Sequence, residues 1–161
     1  MVLDAGADAA LAPSPPLGSD ARRRYELVAG AASGAAVLAY HFPAASSPGL
    51  PVGVLPELPV QGLNDSSGDV HRLCDELDVF AGWLCTGSTD LVLLAGALRC
   101  AGAIVAIANL QPELSIRAFE GDATARRQLV VAAEAVSGRR PHGLKEAVAA
   151  RFGTSATSRM G

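Results

Sequence analysis

The feature that most constrains how this chain can fold is a regular alternation of short apolar runs with segments of helical periodicity. Apolar runs at residues 9–12, 35–40, 60–63, 79–85 and 102–108 read as strands. Most are apolar throughout, as expected when both faces of a parallel sheet are covered. Between them lie helix candidates. Ser19 is placed to cap a helix over 20–32, with Tyr25, Leu27, Val28 and Ala31 as its apolar positions. A shorter helical stretch spans 51–58, and from Gly68 and Asp69 onward Val70, Leu73, Cys74 and Leu77 share one helix face. Ser88 and Thr89 are positioned to cap 90–98, and three helices follow at 112–120, 123–137 and 143–152. Five strand–helix units in series imply right-handed crossovers and a parallel α/β sheet. Either an open doubly wound sheet or part of an eightfold barrel satisfies this pattern. No GxGxxG or GxxxxGK[ST] string follows a strand, so the open sheet lacks its usual nucleotide-binding signature.

Composition narrows the function. Half the residues are hydrophobic but only 4% are aromatic, so the core is aliphatic and offers little stacking surface. A net charge of −3, with Arg22, Arg23 and Arg24 as the densest basic cluster, gives no general attraction to nucleic acid. Cys74, Cys85 and Cys100 are widely spaced and form no CxxC pair, which argues against a zinc cage or a disulfide framework. Cys85 and Cys100 read as small core residues. No leader-like segment opens the sequence and no apolar run is long enough to cross a bilayer, so a soluble cytoplasmic protein, one domain over 1–161, is expected.

Four local strings carry more information than the rhythm. They are Tyr40-His41-Phe42-Pro43 at the end of the second strand, Gly62-Leu63-Asn64-Asp65-Ser66-Ser67-Gly68-Asp69 on the third, Gly87 after the fourth, and 102–109 followed by Pro112 on the fifth. In order and spacing they resemble the YNxP motif, the GxKDSSGD motif, the following glycine and the eighth-strand AN…P exit of the dihydrodipicolinate synthase and N-acetylneuraminate lyase family of pyruvate-dependent class I lyases. The resemblance implies an incomplete (β/α)8 barrel with about five βα units and C-terminal helices, equivalent to strands four to eight. It implies no cofactor, and pyruvate or a related 2-oxo acid as the family's ligand, with binding expected to be weak or absent in this chain.

What the resemblance implies for chemistry is partial. The family's lysine in GxKDSSGD attacks the keto group as a neutral primary amine and forms an imine. Asn64 stands there instead, and its delocalised amide nitrogen is not a useful nucleophile. Lys145, the chain's only lysine, falls in the C-terminal helical region and reads as a surface residue. The first three units, with the threonine pair that holds the pyruvate carboxylate, have no counterpart. The arginine that follows YNxP in the synthases falls near Ala45, and their tyrosine after the fourth strand is absent from residues 12–16. Tyr40 matches the proton-shuttling tyrosine, and Ile104 a position whose backbone lies beside the bound keto acid. Ser66, Ser67 and Gly68 read as the turn into the next helix.

Other chemistries fit less well. No GxSxG elbow is present, and Tyr40 and His41, adjacent on a strand, point to opposite faces. His71 and His142 read as exposed, and no two ligands share a face near a strand end as a metal-dependent aldolase requires. Two functions are therefore carried forward. One is a catalytically deficient lyase-family protein. The other is a non-catalytic interaction protein that pairs with itself or a related chain through open barrel edges.

Overall fold

The computed structural model describes residues 6–15, 20–138 and 142–157. Five parallel strands, β1 (Ala9–Pro13), β2 (Ala36–His41), β3 (Gly62–Asp65), β4 (Trp83–Thr86) and β5 (Gly102–Ala103), lie side by side in chain order as an open sheet. Helices α1 (Ala21–Ala31), α2 (Val70–Val79) and α3 (Val92–Ala97) follow β1, β3 and β4, and a 3-10 helix, Val52–Glu57, follows β2. After β5 come α4 (Pro112–Phe119), α5 (Ala123–Ser137) and α6 (His142–Phe152). This is the arrangement of an incomplete (β/α)8 barrel.

Several boundaries differ from the sequence reading. The third strand is Gly62–Asp65 rather than 60–63, which brings Asn64 inside the sheet. The fourth begins at Trp83, because Val79 still closes α2. Only Gly102–Ala103 pair as β5, and Ala106–Asn109 turn into a 3-10 helix although they are as apolar as a strand. Ser19 lies outside the described residues, and the observed cap of α1 is Asp20, which accepts from the Arg23 backbone N–H at 3.0 Å. Ser88 makes no side-chain cap. At α2 it is Asp69 that accepts from the N–H groups of His71 and Arg72, while the Ser67 hydroxyl accepts from Asp69 N–H. Carboxylates serve well at such positions because they also face the positive helix end.

Two apolar faces are also revised. On α1, Tyr25 is buried and Val28 packs at the core edge, but Leu27 and Ala31 face solvent. On α2, Leu73 is buried and Leu77 partly so, whereas Val70 and Cys74 are exposed. Glu76 takes an inward position in their place.

One apolar cluster lies between the sheet and its first helices, with Tyr25, Val37, Leu55, Leu63 and Leu73 almost wholly buried. The Tyr25 hydroxyl donates to Ala12 O at 3.1 Å, tying α1 to β1, and burial pushes its pKa up to about 12. A second cluster, around Val92, Ile107, Ala118 and Leu129, joins α3, α4 and α5 beyond β5, and Phe119 packs against both. Cys85 and Cys100 are buried free thiols, and burial raises the pKa of each.

Side chains in register across parallel strands share a face. Pro13, Tyr40, Asn64, Cys85 and Gly102 form one such row, and Leu11, Leu38, Gly62 and Trp83 form the row beneath it. This is the face that would line a closed barrel. Leu11 is 43% exposed and Trp83 55%, so the lining is open to solvent in the five-stranded sheet. The alternate residues face the helices. Among them His41 is buried, and its Nδ1 accepts from Leu50 N–H at 2.9 Å. Gly49, at φ +81, lets this loop close, since a Cβ there would lie 2.5 Å from the His41 ring.

Candidate active site at the strand ends

A cavity of about 700 Å³ opens over the C-terminal ends of the strands. Barrels of this kind place their chemistry there, and the volume suits a small-molecule site. Four of the five strands, β2 to β5, contribute residues at or just past their ends. Tyr40 and Phe42 come from β2, Ser66 and Ser67 follow β3, Gly87 follows β4, and Ile104 follows β5. Glu134 and Ser137 of α5 close the opposite wall. The rings of Tyr40 and Phe42, two residues apart and on one face, stack at 5.7 Å.

The three residues singled out from the sequence come together here. Tyr40 and Asn64 are register partners, and Ile104, 45% exposed, borders the same cavity. Asn64 itself is 2% exposed and lies beneath the cavity floor. Its Oδ1 is buried without a hydrogen-bond partner. Its Nδ2 packs against Gly87, where a Cβ would stand 3.1 Å from that nitrogen and 1.8 Å from Ser66 Oγ. Position 87 therefore tolerates only a hydrogen beside the Asn64 amide. His41 faces away from the cavity toward the helices, and its burial, reinforced by the nearby Arg72 charge, lowers its pKa despite Asp65. His71 and His142 are exposed, as expected, the latter as the first residue of α6.

The electrostatics of the cavity are unusual for an anion site. Hydroxyls dominate its polar lining, Asp90 and Glu134 are its ionisable acids, and no Lys, Arg or His lines it among the described residues. Arg126 lies outside and partly offsets Asp90, with Nη2 3.6 Å from Oδ1. Lys145 does not border this cavity. It sits exposed on α6 and donates from Nζ to Thr157 O at 3.1 Å. No group of three or more His, Cys, Asp or Glu able to hold a metal occurs among the described residues.

Behind Asn64 lies a buried charge cluster that the sequence reading missed. Arg72 Nε donates to Asp65 Oδ2 at 2.7 Å, and Asp65 Oδ1 accepts from Ser67 N–H, fixing the loop that forms the cavity edge. Arg72 Nη2 also lies 2.7 Å from Glu76 Oε1, at an angle poor for a hydrogen bond. One guanidinium cannot neutralise two buried carboxylates, so one of them keeps its proton. Burial by itself pushes both carboxyls up, but only Glu76 ends above its usual value. At Asp65, the adjoining Glu76 carboxyl and the bonds from Ser67 and Arg72 outweigh burial and hold the carboxyl below its usual value. At Glu76, burial and then the neighbouring Asp65 push the carboxyl up to about 9. The sequence signal was the Arg72–Glu76 spacing of four on a helix whose first turn follows an aspartate.

No family model and no curated protein sequence matches the chain. Solved structures do. A candidate dihydrodipicolinate synthase from Thermus thermophilus superposes with a TM-score of 0.77 at 28% identity, over 96% of this chain and 60% of that one. A prophage protein of the dihydrodipicolinic acid synthase family from E. coli, solved with pyruvate, gives 0.84 at 20% identity over 97% and 60%. The 2-keto-3-deoxygluconate aldolase of Sulfolobus gives 0.72 at 17% identity over 92% and 55%. No helix among the described residues is long and apolar enough to cross a membrane. The chain thus spans about 60% of the length of the structures it matches, and over nearly all of its own length it has the fold of the C-terminal part of dihydrodipicolinate synthase and 2-keto-3-deoxygluconate aldolase barrels.

Proposed function

We propose that this chain is a divergent member of the dihydrodipicolinate synthase and N-acetylneuraminate lyase family, related by descent to enzymes of pyruvate and other 2-oxo acids, and unable to form their imine. The observation that carries this reading is Asn64 at the inner-facing end of β3, in register with Tyr40. Imine formation needs a neutral primary amine that adds to the keto carbon and then expels water. An amide nitrogen, its lone pair delocalised into the carbonyl, does neither. Tyr40 keeps a position from which a hydroxyl relays protons, and the Ile104 backbone keeps the place beside the ligand. Both roles come from the resemblance. The absence of a cation among the described lining residues supports the same reading, because a 2-oxo acid would meet Asp90 and Glu134 with no guanidinium or ammonium in the cavity wall.

The test is reductive trapping. Pyruvate with borohydride is expected to leave the intact mass unchanged, and a stable adduct on any residue, Lys145 included, overturns the proposal. Asn64→Lys is expected to remain without lyase turnover, since the carboxylate-binding units are not supplied by residues 1–161. Measurable turnover in that variant would show that residues 1–161 do supply the carboxylate-binding part of the pocket, with Asn64 alone blocking the chemistry.

A second reading, a non-catalytic interaction protein, draws on a different observation. Leu11 and Trp83 expose apolar surface on the face that a closed barrel would cover. Pairing through the β1 or β5 edge would bury that surface.

A further inference from the structure

A second cavity, about 480 Å³, adjoins the first and shares Gly87, Thr89, Ala106 and Ala133 with it. Its body is apolar, formed by Ile107, Val136, Leu144 and Val148, and its chemistry is the reverse of its neighbour's. Among the described residues that line it there is one cation, Lys145, and no carboxylate. The walls are held by specific contacts. Arg151 of α6 donates to Leu110 O and Gln111 Oε1 and pairs with Glu113 Oε2 at 3.1 Å, anchoring α6 against α4. At Gly153, φ +69, the chain turns back so that Thr154 and Ser155 form the rim and Thr157 O receives the Lys145 ammonium. An ammonium has three donors, and Thr157 occupies one, which leaves two for an anion at the rim.

From this arrangement we infer that the cavity between α5 and α6 is a binding site for a small amphipathic carboxylate, its alkyl body among Ile107, Val136, Leu144 and Val148 and its carboxylate on Lys145. An anion is favoured because an ammonium at the mouth of an apolar cavity, with no acid in the wall, has no competing partner inside the cavity. The volume falls within the usual range for small-ligand sites, about 300–1,000 Å³. The inference does not rest on the reading of the strand-end cavity, since the two share only wall residues that carry no charge.

Calorimetric titration with octanoate tests it, with 1-octanol as the neutral analogue and octylamine as the cationic one. Octanoate is expected to bind once per chain, and octanol and octylamine more weakly. Lys145→Met, which keeps the stem and removes the charge, is expected to weaken octanoate about three- to tenfold, and Lys145→Arg to retain it. Because Lys145 is exposed, both variants should melt as the native chain does. Equal affinity of octanoate and octanol, an unchanged Lys145→Met, or uptake without saturation at one per chain would each overturn the assignment.

Discussion

Asn64 and Gly87 belong together. The amide fills the space beneath the cavity only because residue 87 has no side chain, and Ser66 crowds the same point. A methyl at 87 would stand 1.8 Å from Ser66 Oγ and 2.9 Å from Ser66 Cβ. The hydroxyl is free to rotate away, but the Cβ is fixed to the backbone. Gly87→Ala is therefore expected to destabilise the fold by about 1–3 kcal/mol, as overpacking commonly does. Adding Ser66→Gly removes both clashing atoms, so the double variant should recover most of the loss. Urea unfolding of the four chains of that cycle measures the coupling, and strict additivity would show that the two residues do not meet.

At the scale of elements, β3 and α2 are joined by the Asp65–Arg72–Glu76 cluster, and its protonation sets a pH dependence. Glu76 in the folded chain lies at about 9 against an ordinary 4.5. Between those values the folded state holds a proton that the unfolded state has released, so this group makes stability fall as pH rises across that window. Asp65 acts in the opposite sense. Its folded value is depressed, so its contribution is present above its ordinary 3.8 and is lost as pH falls through the lower value. Glu76→Gln mimics the protonated acid and keeps a donor for Asp65. It is expected to raise stability above pH 5, by at least about 1 kcal/mol at pH 7, or roughly 2–4 °C in Tm, and to flatten the decline toward pH 9. Thermal melts from pH 4 to 9 would show the two curves diverging with rising pH. Parallel curves would mean that Glu76 is ionised in the folded state.

At the scale of the whole molecule, the five strands of the described residues leave two sheet edges, at β1 and β5, and a lining face open to water. Unpaired backbone groups along an edge template further pairing, and the exposed Leu11 and Trp83 add apolar surface to it. Residues 1–161 on their own are expected to self-associate. Size-exclusion chromatography with light scattering should give a mass above that of one chain, falling as Trp83→Lys places a charge on the open lining. A monodisperse native chain at 16.3 kDa would show that the open face is tolerated in water.

The sequence by itself determined the order of elements and which residues stand at the strand ends. Apolar runs and helical periodicity marked five strand–helix units and three closing helices, because such patterns act within a few residues, whereas they did not pick out the capping side chains at α1 and before α3. The motif strings placed Tyr40, Asn64 and Ile104 together, because a register of parallel strands aligns their ends. Only tertiary structure decided the rest. Residues 79–82 and 104–108 are apolar enough for strands, yet α2 runs on through Val79 and a 3-10 turn takes Ala106–Asn109, since pairing partners rather than composition set where a strand ends. Val70 lies exposed and Glu76 buried on α2, where Arg72 offers the carboxyl a buried partner, a gain invisible along one helix. The contrast between the two adjoining cavities, one acidic and hydroxyl-lined, the other apolar with a single ammonium, arises where α5 and α6 fold over the strand ends, and no local stretch of the chain encodes it.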